Sequence, residues 1–122
     1  MAVPIQIMAL YDSAKPNPAG HRDVSIDDVK LPVSGYRLID VREPHEYVGE
    51  LAHIAGSELV PMNSVMAKAA DWKKDEPLLF VCKSGGRSAN VAAAMTRAGF
   101  SKAMNLVGGM LAWNSSGKPV EK

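Results

Sequence analysis

The chain has 122 residues, 47% hydrophobic and 22% charged, with 14 basic side chains against 13 acidic ones. That length suits one globular domain able to bury its own core, and a net charge of +1 gives no general pull toward nucleic acid or an anionic membrane. One cysteine and three scattered histidines make neither an internal disulfide nor a structural zinc site.

The opening "MAVPIQIMAL" is apolar, but it lacks a basic lead, contains Pro4 and is too short to span a bilayer. It reads as the start of a mature cytoplasmic protein, with Met1 to Tyr11 as a short strand or arm. "SAKPNPAG" (Ser13 to Gly20) carries two prolines and a glycine and reads as a loop, so residues 1–20 are expected to extend a domain spanning 21–122. In "RDVSIDDVK" Ser25 serves as the N-cap of a short helix that Pro32 ends. "YRLIDV" (Tyr36 to Val41) is a strand. Pro44 suits the first turn of a helix in "PHEYVGELA", and a short strand follows at "SELVPM". Asn63 is placed to cap a helix through "NSVMAKAADW" whose inner face is Val65, Met66, Ala69 and Ala70, and "DWKKDE" (Asp71 to Glu76) is a balanced, solvated charge run.

"PLLFVC" (Pro77 to Cys82) is a continuous apolar run of strand length, as expected for a strand covered on both faces of a parallel sheet. "RSANVAAAMTRAG" follows as a helix ended by Gly99, then "KAMNLVGG" as a strand and "MLAWNSSG" as a short helix. Met62, Met66, Met95, Met104 and Met110 are taken as core fillers, and Trp113 as packing for the last helix. Strands and helices alternate, which predicts an α/β fold of three layers: a mainly parallel central sheet flanked by helices.

Cys82 closes the most apolar strand just before a helix, the place where ligands collect in such sheets. A lone cysteine at the end of an apolar strand is commonly just a small core residue. This one, however, leads into "CKSGGR", where two glycines let the backbone curl with its N–H groups turned inward. Lys83, Ser84, Gly85, Gly86, Arg87 and Ser88 thus form a nest at a helix N-terminus, a setting that attracts an anion and favours thiolate over thiol. Cys82 is the candidate nucleophile.

Four stretches, "LIDVREPHEY", "HIAGSELVPM", "LLFVCKSGGRSANVAAAM" and "NLVGGMLAWNSSGKPV", follow in order at a spacing that resembles the rhodanese family of sulfurtransferases over roughly Val24 to Val120. The resemblance implies a persulfide on Cys82, a loop from Cys82 to Arg87 whose amides stabilise it, and a single-domain enzyme with no metal or organic cofactor. Asp40 and Arg42 are read as braces of the site, and His53 as a packing or hydrogen-bonding residue. Two positions depart from the family's habit: Ala52 stands where glycine is usual before the histidine, and Lys83 where arginine is frequent. Lysine keeps the charge but not bidentate recognition, which bears on donor preference.

The implied reaction is attack of Cys82 on the outer sulfur of a donor such as thiosulfate or a persulfide, then transfer to cyanide or a thiol, a sulfur-accepting protein among them. Two other readings compete. Cysteine-dependent phosphatases and arsenate reductases place five residues between cysteine and arginine, whereas four stand here; a non-catalytic binding module of this fold commonly lacks the cysteine.

Overall fold

The computed structural model describes residues 9–122. Its six strands are β1 (Lys15–Pro16), β2 (Arg22–Val24), β3 (Arg37–Asp40), β4 (Ser57–Leu59), β5 (Leu78–Val81) and β6 (Ala103–Leu106). They lie in the order β1-β2-β6-β5-β3-β4, all neighbours parallel except β1 with β2. The helices are α1 (Leu10–Ser13), α2 (Pro44–Tyr47), α3 (Val65–Lys68), α4 (Gly86–Arg97) and α5 (Gly109–Ser115). Among the described residues no helix is long and apolar enough to cross a membrane.

β5 shows why the sheet carries three layers. Its residues are all buried, yet they alternate: Leu78 and Phe80, followed by Cys82 just past the strand, join one core with Val65, Val91, Ala92 and Met95, while Leu79 and Val81 join a second with Met110 and Trp113. Each face of the strand therefore has its own helices, α3 and α4 on one side and α5 on the other, as a parallel strand requires. The end of α4 is closed by Gly99 at φ +98°, with the Phe100 amide donating to the Met95 carbonyl and the Gly99 amide to that of Thr96. Only a residue without Cβ takes that conformation freely.

Several expectations need correction. The expected arm over Met1 to Tyr11 lies outside the described residues up to Met8, and Leu10–Ser13 form one helical turn instead of a strand. Within the expected loop, Lys15–Pro16 pair with Arg22–Val24 as an outer, antiparallel edge. Proline is tolerated there because an edge strand leaves one side of its backbone unpaired. Ser25 does cap, accepting from the Asp27 amide, but the turn it opens is a single 3-10 turn, Ile26–Asp28.

Asn63 caps nothing: it lies inside a 3-10 turn, Met62–Ser64, and the α-helical part is four residues long. The inner stripe is Met62, Val65, Ala69 and Trp72, not Met66, which is 56% exposed, nor Ala70, which is exposed too. Neighbours in a helix point about 100° apart, so Val65 facing the core turns Met66 away from it. Met95, Met104 and Met110 are fully buried, as expected.

Candidate active site

Cys82 leaves β5 at its carboxyl end, between the ends of β3 and β6. The chain then turns through Gly85, held at φ +105°, and enters the twelve-residue α4 at Gly86. Sγ accepts hydrogen bonds from the Gly85 amide at 3.1 Å and the Ser88 amide at 3.4 Å, and the Ser88 hydroxyl stands within hydrogen-bonding reach of it at 3.3 Å. Burial pushes the thiol's pKa up, but the Ser88 hydroxyl and the amides of Ser88, Gly85 and Ser84 outweigh it, leaving Cys82 more acidic than an ordinary thiol. The residue has no exposed surface, while Lys83, Ser84 and Gly86 form an exposed rim.

The rear of the loop is held by main chain. The Met110 amide donates to the Cys82 carbonyl and the Leu111 amide to the Lys83 carbonyl, both at 2.9 Å. This contact needs the glycines of "VGG". A Cβ on Gly109 would overlap the Cys82 carbonyl oxygen and come within 2.7 Å of that of Lys83, and one on Gly85 would stand 3.3 Å from the Gly108 nitrogen. The two glycine pairs of the sequence are thus two halves of one backbone-to-backbone contact.

The front is held by charge. Arg42 is buried and grips buried Asp40, its Nε donating to both carboxylate oxygens at 2.9 and 3.1 Å and its terminal nitrogen to Oδ2 at 2.8 Å. The same guanidinium donates to the carbonyls of Ala52 at 2.6 Å and Glu46 at 3.2 Å. Two of its partners thereby anchor α2 and the turn before β4. α2 in turn presents Glu46, which binds Arg87 through two parallel bonds of 2.8 and 2.9 Å. Arg87 hydrogen-bonded to it holds the Glu46 carboxyl down at about 2. Asp40 and Arg42 therefore reach the loop through Glu46 and Arg87. Arg87 spends its fork on Glu46, whose carboxylate holds the guanidinium all the more firmly charged, with the Cys82 sulfur a smaller contributor.

The other expected residues fall into place around this frame. Lys83 makes no ion pair among the described residues and borders an open groove with His45, Glu50 and Leu111. His53 is buried, its ring stacked on Tyr47 at 3.7 Å, with Nδ1 2.9 Å from the Tyr47 carbonyl oxygen. Trp113 donates from Nε1 to the Pro119 carbonyl. Ala52 has φ +54°, a left-handed backbone that costs a residue with a Cβ roughly 1–2 kcal/mol; this is the position where the resemblance expects glycine. Two contributors escaped the sequence reading. Glu46 meets Arg87 across 41 positions of chain, and Asn105, a polar residue facing inward from β6, lies 2.6 Å from the Ser88 hydroxyl. Only the second left a signal, a polar side chain inside an apolar strand.

The pattern of the rhodanese-like domain matches residues 25–116. The chain is 36% identical over 86 residues to the thiosulfate sulfurtransferase GlpE of Pseudomonas paraeruginosa, covering 70% of this chain and 76% of that protein. It is 39% identical over 84 residues to the probable adenylyltransferase/sulfurtransferase MoeZ of Mycobacterium tuberculosis, covering 67% of this chain but 21% of MoeZ. It spans 50% of the putative sulfur carrier protein YrkF of Bacillus subtilis, at 34% identity. Among solved structures, a rhodanese-related protein from Thermoplasma volcanium superposes with a TM-score of 0.72 at 27% identity, over 83% of this chain and 98% of that one. Sequence pattern, relatives and backbone agree: the chain belongs to the rhodanese-like family.

Proposed function

We propose that the protein is a sulfurtransferase that carries sulfane sulfur as a persulfide on Cys82. The observation that carries this reading is the convergence of the Gly85 amide, the Ser88 amide and the Ser88 hydroxyl on the chain's single sulfur nucleophile. Such donors stabilise an anionic sulfur both before and after transfer. The Cys82 thiolate attacks the outer sulfur of thiosulfate, the bond from that sulfur to the sulfonate breaks, and sulfite leaves with the electron pair. A thiolate or cyanide then attacks the terminal sulfur of the persulfide, and Cys82 departs as thiolate. Neither step needs a proton donor, which suits a site where Asp40 and Glu46 are each held by an arginine.

Cys82 has no exposed surface, so sulfur transfer requires the loop bearing Lys83, Ser84 and Gly86 to shift and admit the donor. Lys83 meets an anionic donor there, and the amides hold the transferred charge, while Arg87, its fork taken by Glu46, acts on it only through its field. The ring admits one terminal sulfur in preference to a tetrahedral phosphoryl group. The name of YrkF, a putative sulfur carrier protein, supports a sulfur carrier among the acceptors.

Incubation with thiosulfate should add the mass of one sulfur atom, removed again by cyanide or a reducing thiol, and Cys82→Ser should gain nothing. An adduct that persists in Cys82→Ser, or Cys82-dependent hydrolysis of an aryl phosphate without an adduct, overturns the proposal.

A further inference from the structure

Asn105 stands on β6 directly beside Phe80 of β5, on the face of the sheet that also carries Cys82. Its neighbours in β6, Met104 and Leu106, and the strand's first residue, Ala103, are buried apolar side chains. A buried amide in such a place is costly unless hydrogen-bonded, and its partner is the hydroxyl of Ser88, itself fully buried. That hydroxyl has one proton and three acceptors in reach: Asn105 Oδ1 at 2.6 Å, the Gly85 carbonyl at 3.3 Å and Cys82 Sγ at 3.3 Å. The shortest contact takes the proton, so the hydroxyl points away from a neutral thiol. An anionic sulfur is a far stronger acceptor than a thiol. If it draws the Ser88 proton, Asn105 must exchange its acceptor for a donor, and a side-chain amide carries both at nearly equal size.

We propose that Asn105 is a positioning residue of the sulfur site: a half-turn of its amide lets Ser88 donate to Asn105 while Cys82 is a thiol and to Sγ while the sulfur is anionic. In the second state the chain of donors runs from Asn105 Nδ2 through Ser88 Oγ to sulfur, each bond polarising the next. No covalent bond changes; only one hydroxyl and one amide turn. The charged groups facing Cys82 are Arg87 of α4, paired with Glu46 of α2, the Asp40–Arg42 pair at the end of β3, and Lys83 in the loop; among the described residues none is hydrogen-bonded to Ser88 Oγ or to the Asn105 side chain. The proposal rests on Cys82 as the sulfur-bearing nucleophile, but its readout is the acidity of the thiol, measured with no sulfur donor present.

The experiment is a pH titration of the ultraviolet thiolate absorbance of Cys82, the only cysteine, in wild type, Asn105→Leu, Ser88→Ala and the double variant. Losing one hydrogen bond to a charged group in Ser88→Ala raises the thiol's pKa by roughly one unit, about a tenfold loss of thiolate below that pKa. Asn105→Leu raises it several-fold less than that, and adds no further rise once Ser88 is alanine. A fall in Asn105→Leu would mean that Asn105 only competes for the proton. No change, or an equal rise with and without Ser88, would mean that it acts on packing alone; any of these overturns the proposal. A measurement free of substitutions guards against misfolding: the Asn105 side-chain amide resonances of wild type should shift with the Cys82 midpoint, and resonances constant across it refute the half-turn.

Discussion

Gly109→Ala tests whether the loop around Cys82 is shaped by its backbone contact with the start of α5. The new methyl would overlap the Cys82 carbonyl oxygen and crowd that of Lys83 at 2.7 Å, both main-chain atoms that cannot swing aside. Relief means parting the loop from α5, which breaks the Met110 and Leu111 amide bonds, each 2.9 Å long. Two hydrogen bonds at about 1 kcal/mol each add to roughly 1–2 kcal/mol for a Cβ at φ +55°. The sum, roughly 3–4 kcal/mol, corresponds to a fall of roughly 10–15 °C in melting temperature for a domain of this size. Thermal unfolding followed by circular dichroism reads it. Gly86→Ala is the control, since no atom stands within 4 Å of its added Cβ, and it should melt within about 3 °C of wild type or above it. A Gly109→Ala protein that also melts within about 3 °C of wild type would refute the contact.

Asp40→Ala strands the buried Arg42 charge and should lower unfolding free energy in urea by roughly 3–5 kcal/mol; a loss below about 1 kcal/mol would mean that the carbonyls of Ala52 and Glu46 suffice for Arg42. Glu46, lowered from 4.5 to about 2 by Arg87, contributes stability that is present above pH 4.5 and lost as pH falls from there toward 2. Acid titration of stability should therefore be steeper in wild type than in Glu46→Gln over that window, and parallel curves would show that the pair adds nothing to the fold.

What the sequence made legible was local. The run Leu78 to Cys82 and the glycines after it announce a strand, a turn and a helix because each signal is carried by adjacent residues. Asp40 and Arg42 could be singled out as braces because a charged pair at the end of an apolar strand must find partners. What stayed hidden depends on chain that is distant in sequence. Nothing around Glu46 shows that its carboxylate will meet Arg87, and nothing around Ser88 shows that an asparagine 17 positions on will face it. β1 and β2 were illegible for a different reason: two or three largely polar residues have no period to read, and they are strands only because β6 offers an edge to β2 and β2 offers one to β1.

The support of the loop by main chain frees its side chains for other uses. Gly85, Gly108 and Gly109 meet as backbone, and Sγ is approached by amides and one hydroxyl, so the side chains of Lys83 and Ser84 hold nothing in place and face solvent. The rim can be rewritten without rebuilding the socket beneath it. Under the proposed function, substitutions at these two positions would retune which donor or acceptor is received at little expense to the fold, making them natural sites at which an engineer would begin a library.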